Sequence, residues 1–457
     1  MASEPEGRLL IVGGDAGGMS AASTARRLAP ELTIRAFERG PYTSYSACGI
    51  PYFVGGLFDD AQRLISRSPE EFAEKGIDVV TEAEVIDIDL DRREVTVARQ
   101  DRAVAREGFD QLVYATGAEA VVPPVPGAEA VYPVRTVDSA ERFRAQLLNG
   151  SGGGSAVVVG GSYLGLEMAE ALIERGMTVT LVDRAEQIMM TLDPDMAEQV
   201  QSAAEGKGIR VLLGVEIEEI RRHADGRARS VKLTDEELEA DHVVLSTGVR
   251  PAVALAEAAG LEIGPSGALA VDDHQRCPGV EGVFAAGDCA ESWHRLLERP
   301  VNVQLGTHAN KQGRVAGTNI AGGEATFPGL IGTAVSKICR YEVARTGLSE
   351  REATEAEIDV VSASIDTTTR AGYYPGTGPI RVKLVADAVS GRLLGGQIVG
   401  VEGAAKRIDV LAACVWMGMA VDELEMLDLS YAPPFSAVYD PLLVAARSTA
   451  HAVRAAA

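Results

Sequence analysis

The feature that most constrains the fold of this chain is a strand, a glycine-rich turn, a helix and a second strand that ends in an acidic residue. In the first copy, an apolar run precedes the turn Gly-Gly-Asp-Ala-Gly-Gly at 13–18, and a strand at 32–37 ends at Glu38. Glycines in such a turn let the pyrophosphate of a dinucleotide approach backbone N–H groups at a helix N-terminus, and the acid binds a ribose hydroxyl. The sequence therefore predicts a dinucleotide-binding βαβ unit, with Asp15 at the middle glycine position.

The same pattern recurs farther along the chain. A strand at 156–159 leads into Gly-Gly-Ser-Tyr-Leu-Gly at 160–165, and the next strand ends at Asp183. The helices of the two copies are predicted at 19–28 and 166–175. Two fingerprints indicate two dinucleotides and are far more specific than one.

Three shorter signals accompany the two units. Thr116-Gly117 closes a strand, a second Thr-Gly pair ends at Gly248, and Gly287-Asp288 follows another strand. A Gly-Asp pair alone is usually a turn, but after two fingerprints its carboxylate is expected to accept a polyol hydroxyl. From about Phe327 onward, strand-like runs and helices predict an α+β unit.

One cysteine lies in a polar and aromatic stretch, Ser-Tyr-Ser-Ala-Cys-Gly-Ile-Pro-Tyr at 44–52. A thiol reacts as its thiolate, and a helix N-terminus lowers a thiol pKa. Pro51 suits a first helical turn, so Cys48 is a candidate redox sulfur; the alternative is a buried structural cysteine. Residues 277, 289, 339 and 414 are the other cysteines, and without a CxxC or C-x4-C pair we expect them to pack in the core.

Composition excludes several classes of function. The 457 residues carry a formal net charge of −23, which argues against nucleic acid and anionic membranes as partners. The longest apolar run, at 411–421, is too short for a membrane span, and the six histidines show no metal-ligand spacing. The acidic N-terminus lacks a signal peptide pattern, so a cytoplasmic location is expected.

Along nearly its whole length the chain resembles the flavoprotein pyridine nucleotide-disulfide oxidoreductases, in their single-cysteine branch. The resemblance rests on the two fingerprints, on 44–52, and on Tyr-Tyr-Pro-Gly at 373–376, Lys-Arg-Ile-Asp at 406–409 and Tyr-Ala-Pro-Pro at 431–434. Within the branch it is most similar to coenzyme A disulfide reductases, with NADH oxidases and persulfide reductases as relatives.

The resemblance implies an α/β fold with two Rossmann-like dinucleotide-binding domains and a C-terminal α+β dimerisation domain in a homodimer. The implied bounds are 1–118 and 246–325 for FAD, 119–245 for NAD(P)H and 326–457 for dimerisation. The implied cofactor-binding residues are Gly13, Gly14, Ala16, Gly17, Glu38, Arg39, Thr116, Gly117, Gly287, Asp288, Gly160, Gly161, Tyr163, Leu164, Gly165, Glu167, Asp183 and Gly248. Asp183 favours NADH because a carboxylate repels a 2′-phosphate, whereas Arg184 leaves NADPH open.

The resemblance also implies a reaction. Hydride passes from the nicotinamide to FAD, and electrons then reach Cys48, whose oxidised form is a mixed disulfide with a small thiol or a sulfenic acid. Tyr373 or Tyr374, together with Tyr431, match family positions beside the substrate sulfur and are candidate proton donors; the alternative is hydrogen bonding to nearby backbone.

Coenzyme A disulfide is the expected substrate, and its phosphates require a local basic patch on an acidic protein. The implied substrate-binding residues are Ser20, Arg27, Ser44 and Lys75, and Arg26, Arg63 and Arg67 extend the patch. Three positions depart from family patterns: Ala47 replaces an asparagine, Tyr439 a lysine, and Ala16 the histidine of peroxidases and oxidases.

Two other functions stay open from the sequence. The first is an NADH oxidase or a persulfide or polysulfide reductase, in which Cys48 cycles through sulfenate or persulfide. The second is a flavin redox sensor or a reductase of a protein partner, in which turnover of small disulfides would be negligible.

Overall fold

The computed structural model describes residues 7–99, 104–131, 133–149, 153–224 and 226–456. The first part of the chain forms β1 Arg8–Val12, α1 Ala16–Leu28, β2 Thr33–Phe37, α2 Ile50–Gly55, α3 Pro69–Ala73, β3 Ile77–Val80, β4 Ala83–Asp89, β5 Glu94–Arg99, β6 Val104–Gly108, β7 Gln111–Tyr114 and β8 Ala118–Ala120.

The middle part forms α4 Val137–Asn149, β9 Ser155–Val159, α5 Tyr163–Glu174, β10 Thr178–Val182, α6 Pro194–Gly206, β11 Ile209–Leu212, β12 Ile217–Arg222, β13 Ala228–Leu233, β14 Glu237–Glu239, β15 His242–Leu245, β16 Val249–Pro251 and α7 Ala254–Ala258. The last part forms β17 Val283–Ala285, β18 Ser292–His294, β19 Arg299–Val301, α8 Gly306–Ile320, β20 Ala334–Ile338, β21 Tyr341–Gly347, α9 Glu350–Glu355, β22 Val360–Thr368, β23 Pro379–Asp387, β24 Leu393–Gly400, α10 Ile408–Met417, α11 Val421–Glu425 and α12 Pro441–Ala456.

A five-stranded parallel sheet, in the order β17-β7-β1-β2-β3, carries the first fingerprint at the carboxyl end of β1. Its central strand is buried on both faces, as expected for a parallel sheet covered by helices. Helix α8 packs closely on α1 because it presents glycines there: a Cβ on Gly313 or Gly317 would overlap the backbone of α1. The sheet thus holds the first glycine turn in place at the end of β1, against the ends of the neighbouring strands.

The second fingerprint lies at the end of β9 in a four-stranded parallel sheet, ordered β11-β10-β9-β15. Both fingerprint helices begin earlier than predicted, at Ala16 and Tyr163 rather than at 19 and 166. For α5 the physical reason is a cap, since the Ser162 hydroxyl accepts the N–H of Gly165. The last residues of each turn are therefore already helical.

The final unit is a five-stranded antiparallel sheet, ordered β20-β21-β24-β23-β22, packed against α10, α11 and α12. The predicted fold class, two dinucleotide-binding α/β units followed by an α+β unit, is confirmed. Among the described residues, no helix has the length and apolarity needed to cross a bilayer.

Buried polar contacts join the second fingerprint unit to the final sheet. The Lys383 ammonium on β23 lies 3.2 Å from Asp193, 2.8 Å from Asp195 and 2.7 Å from Glu350. Lys383 and Asp193 are almost fully buried, so each charge depends on the other for compensation. This cluster fixes α6 against the antiparallel sheet.

Candidate active site

The first glycine turn is pressed against the ends of two neighbouring strands. Gly13 has φ +111°, and a Cβ there would overlap the carbonyl oxygen of Ala115; a Cβ on Gly17 would lie 2.9 Å from the Ala286 carbonyl oxygen. The Glu38 carboxylate accepts N–H groups from Gly14, at 2.9 Å, and from Gly40, at 2.8 Å. The turn can therefore hold only glycine at these positions, and its backbone is open to a ligand.

A cavity of about 870 Å³ opens beside this turn. Seven of the residues that line it matter here: Gly13, Asp15, Glu38, Arg39, Thr116, Gly117 and Asp288. Six of these are predicted cofactor-binding residues; Asp15 was recognised only as a departure from the glycine pattern. Gly14 and Gly17 shape the turn, and Gly287 donates its N–H to Gln312 at 2.9 Å.

The residues of this cavity fit FAD. Glycine backbone at a helix N-terminus suits a pyrophosphate, and two carboxylates suit ribose and ribityl hydroxyls. Asp288 lies 3.4 Å from Arg135, and burial raises the pKa of its carboxyl group. When bound here, FAD would supply two-electron transfer between a nicotinamide and a sulfur.

The second turn repeats the construction of the first. Gly160 has φ +106°, and a Cβ there would overlap the Ser246 carbonyl oxygen. The Asp183 carboxylate accepts the N–H of Gly161 at 2.6 Å and that of Ala185 at 2.9 Å. The predicted nicotinamide dinucleotide residues Gly160, Gly161, Gly165 and Asp183 are therefore brought together.

The other residues predicted at this cofactor take different places. Tyr163 accepts a hydrogen bond from the Thr191 hydroxyl at 3.4 Å, and Leu164 packs on the adjoining core. The carboxylate of Glu167, on α5, accepts a hydrogen bond from the Ser336 hydroxyl at 2.5 Å. Gly248 has φ +93° and its carbonyl accepts the N–H of Val121 at 3.0 Å.

Cys48 lies in a short 3₁₀ turn, Ala47–Gly49, directly before α2. It is exposed, whereas Cys277, Cys289, Cys339 and Cys414 are buried, as predicted for packing residues. Pro51 occupies the first turn of α2, as expected. A Cβ on Gly49 would overlap the Leu64 side chain, so this position needs glycine.

The electrostatic setting of Cys48 differs from the prediction of a lowered thiol pKa. Although Cys48 as a residue is exposed, its thiol group is partly buried, and this burial raises its pKa. The Glu167 carboxylate raises the pKa further, and the backbone N–H of Cys48 itself opposes the rise. The physical reasons are burial first and then the acidic surroundings, since Asp288 and Asp15 also disfavour a thiolate. In these surroundings the thiol is favoured over the thiolate.

The candidate tyrosines lie in the final unit. Tyr373 and Tyr431 share a hydrogen bond between their side chains, which raises the pKa of Tyr373. Both are exposed, and Tyr374 lies next to them in the same turn. Arg407 holds the two segments together by donating to the carbonyls of Thr369 and Phe435 at 2.7 and 2.8 Å. Within the described part of one chain, no hydrogen bond links these tyrosines to Cys48.

A second cavity, of about 290 Å³, lies on the other side of the first turn, and we call it the arginine cavity. Its lining comprises Ala16, Met19, Ser20, Ser23, Thr24, Arg27, Ser44, Ser66, Arg67, Phe72, Asn310 and Arg314. None of its three arginines forms an ion pair with a carboxylate among the residues that the structure describes. The cavity therefore offers three guanidinium groups and several hydroxyls to an anionic ligand.

The structure places most predicted substrate residues in this cavity. Ser20, Arg27 and Ser44 line it, and the Ser20 hydroxyl donates to Asn310 at 2.6 Å. Lys75 is exposed after α3 and is not part of the lining. Ala16, predicted at the cofactor, also lies in the lining of this cavity.

The basic patch is only partly as predicted. Arg67 lines the cavity and lies 5.0 Å from the Phe72 ring, and Arg63 lies over Phe58. Arg26 instead donates to backbone carbonyls, including that of Gly76 at 2.7 Å. The sequence reasoning missed Asn310 and Arg314; their spacing of one helical turn on α8 was the available signal.

Comparison with known proteins agrees with this geometry. Residues 7–313 match the pyridine nucleotide-disulphide oxidoreductase family, and residues 333–441 match the dimerisation domain of the same family. A protein of Pyrococcus abyssi, named NAD(P)H sulfur oxidoreductase (CoA-dependent), is 38% identical over 96% of this chain and 97% of its own. A coenzyme A disulfide reductase of Staphylococcus aureus is 30% identical over 94% of this chain and 96% of its own.

Among solved structures, an NAD-dependent persulfide reductase from A. fulgidus superposes with a TM-score of 0.93 at 37% identity, covering 97% of this chain and 83% of that one. The similarity extends over both fingerprint units and the final sheet. This chain therefore belongs to the pyridine nucleotide-disulphide oxidoreductase family and is an NAD(P)H-dependent flavoprotein oxidoreductase.

Proposed function

We propose that the protein reduces the sulfur–sulfur bond of a coenzyme A-linked substrate, coenzyme A disulfide first of all, through Cys48. The observation that carries this proposal is the arginine cavity, because Ser44 lines it only four residues before Cys48. Coenzyme A has its phosphates at one end and its thiol at the other. A cluster of guanidinium groups near a single exposed cysteine suits such a molecule.

The chemistry proposed for Cys48 balances over two steps. The Cys48 thiolate attacks coenzyme A disulfide, which forms a Cys48–coenzyme A disulfide and expels one coenzyme A thiolate. Two electrons from NAD(P)H, delivered through bound FAD, then break the new bond. This restores the Cys48 thiolate and releases the second coenzyme A thiolate, which takes up a proton.

Two further features of the chain complete the proposal. We propose that Tyr373 or Tyr374, with Tyr431, protonates the departing thiolate, and that these tyrosines act on Cys48 of a second copy of the chain in a homodimer. The match of residues 333–441 to a dimerisation domain supports this. We also propose the domain bounds 1–118 with 246–325, 119–245, and 326–457.

A matched pair of substrates tests the proposal. Pantethine has the same disulfide end as coenzyme A disulfide but lacks the nucleotide phosphates. We expect kcat/KM, measured as NADH consumption without oxygen, to be about 100-fold higher for coenzyme A disulfide, since two or more charge-assisted contacts are lost with pantethine. Equal values for the two disulfides would contradict a role of the arginine cavity.

A persulfide reductase is the second candidate. It is favoured by the relatives named for sulfur or persulfide reduction, which are 37–38% identical, against 30% for the S. aureus coenzyme A disulfide reductase. In this case the Cys48 thiolate takes the outer sulfur of a coenzyme A persulfide and expels coenzyme A thiolate, and two electrons from NAD(P)H then release that sulfur as sulfide and restore the Cys48 thiolate. Sulfide formation from coenzyme A persulfide faster than turnover of the disulfide would select this reaction.

A further inference from the structure

The middle position of the first glycine turn holds a carboxylate that faces the FAD cavity. Asp15 lines this cavity of about 870 Å³, directly before α1. Its Oδ1 atom accepts the backbone N–H of Tyr45 at 3.2 Å. The equivalent residue of the second turn, Ser162, carries no charge. The two turns are otherwise built alike, so this difference in charge is specific to the first dinucleotide site.

The charges around Asp15 are mostly negative. Glu38, at the end of β2, and Asp288, after β17, both interact with Asp15 electrostatically. On the cationic side, Arg135 is engaged by Asp288 at 3.4 Å and by the Ala118 carbonyl at 3.0 Å. The positive charge of Arg39 opposes the rise that burial causes in the pKa of Glu38.

Three further titratable groups lie close by. The negative charge of Asp15 helps to raise the pKa of the Tyr45 hydroxyl and of the Cys48 thiol. Asp138, at the start of α4, helps to raise the pKa of Tyr45 and of Glu38. Of the neighbouring acidic groups, Glu38 and Asp288 are those that disfavour a negative charge on Asp15 itself.

This setting determines the protonation of Asp15. Burial raises the pKa of its carboxyl group to about 6, Glu38 and Asp288 add to the rise, and the N–H groups of Tyr45 and Ala16 oppose it. A pyrophosphate at the N-terminus of α1 would bring further negative charge to the same place. Its arrival must therefore favour the neutral acid over the carboxylate.

We propose that Asp15 makes FAD binding proton-linked: the neutral carboxylic acid accommodates the pyrophosphate of FAD, and the carboxylate repels it. Binding then takes up one proton wherever free Asp15 is ionised. The affinity for FAD is highest at pH below about 6 and falls by up to tenfold for each pH unit above it, until the acid also ionises in the complex.

The holoenzyme itself allows the test. We would dilute it to nanomolar concentration between pH 5 and pH 8.5 and measure released FAD by its fluorescence, both as equilibrium Kd and as release rate. For the native chain, Kd or release rate should rise with pH above about 6. For Asp15→Asn both should be independent of pH, and at pH 8 FAD should be bound more tightly than by the native chain.

Two variants keep the proposal open to refutation if Asp15→Asn does not fold. Asp15→Ser copies the residue of the second turn, and Asp15→Gly restores the glycine of the fingerprint; both should abolish the pH dependence. In the converse experiment, Ser162→Asp should make NADH binding weaken with rising pH, whereas NADH binding by the native chain should not. A native Kd and release rate that do not change with pH, or a dependence that survives in all Asp15 variants, would overturn the proposal.

Discussion

The backbone N–H of Tyr45 donates to the Asp15 carboxylate at 3.2 Å, and this bond joins two segments that each border both cavities of the first unit. Asp15 and Tyr45 line the FAD cavity, whereas their chain neighbours Ala16 and Ser44 line the arginine cavity. These two backbone segments thus lie between the cavity that fits FAD and the cavity proposed for the phosphates of the substrate. Cys48 follows directly on one of them.

The first prediction concerns Cys48 itself. Cys48→Ser should retain FAD and its reduction by NADH, because neither cavity loses a lining residue, and should lower disulfide turnover by roughly a thousandfold or more. Stopped-flow absorbance separates flavin reduction from turnover. Cys414→Ala is the matched control: this cysteine is buried in α10 and its loss should reduce stability rather than turnover. Native turnover by Cys48→Ser would remove Cys48 from the mechanism.

The parts of this site that a recognisable sequence pattern marks could be predicted, and the parts built by contacts between distant residues could not. The two turns were predictable because their glycine spacing is a recognisable fingerprint, although its physical reason, such as the close approach of Gly13 to Ala115, is a contact between distant segments. Asp15 was visible as a departure, but its carboxylate neighbours come from strands far apart in the chain. Arg314 enters the arginine cavity through the packing of α8 on α1, a contact between segments far apart in the chain.

The pKa of Cys48 likewise depends on residues that are distant in the chain. A position before a helix with Pro51 in its first turn predicted a lowered pKa, and the opposite holds because the thiol is partly buried and Glu167 on α5 adds negative charge. The last helix, Pro441–Ala456, is rich in alanine and was not predicted at all. Its buried face, formed by Leu442, Ala445, Ala446 and Ala450, packs in the core of the final unit.

The second prediction concerns the arginine cavity. Arg27→Ala, Arg67→Ala and Arg314→Ala should each raise KM for coenzyme A disulfide about tenfold or more, because each removes a charge-assisted contact to phosphate. KM for pantethine should change little. Arg210→Ala is the control, since Arg210 is exposed and paired with Glu236 away from the cavity. The same loss for both substrates would show that the arginines support the fold rather than the phosphates.

The third prediction concerns pH. Because burial and Glu167 raise the pKa of Cys48, its thiolate forms only above the ordinary thiol range. The rate of alkylation by iodoacetamide at Cys48 should therefore rise about tenfold per pH unit through neutral pH and level off only at alkaline pH. Glu167→Gln removes one negative charge and should shift this curve to lower pH.

The matched control for the pH experiment lies on the same helix. Glu174 is exposed and pairs with Lys207, so Glu174→Gln should leave the alkylation curve in place. Peptide mapping identifies the alkylated cysteine. An unchanged curve for Glu167→Gln, or an equal shift for both variants, would contradict the assigned effect of Glu167.

The fourth prediction concerns the exposed tyrosines. A double variant, Tyr373→Phe with Tyr431→Phe, should lose turnover as a homodimer, and so should Cys48→Ser. If the tyrosines serve Cys48 of the second copy, a heterodimer of the two variants has one fully native site. Differently tagged chains, co-expressed and purified together, should then recover about half of the native turnover. No recovery would mean that tyrosines and Cys48 of one chain act together.

The central claim is that Cys48 carries the substrate thiol as a mixed disulfide, and intact mass with peptide mapping tests it most directly. We would treat the protein with coenzyme A disulfide without oxygen, measure its mass, and repeat the measurement after adding NADH. The account predicts one coenzyme A adduct per chain, located on Cys48 and lost on reduction by NADH. An unmodified Cys48, or an adduct on another cysteine, would contradict it.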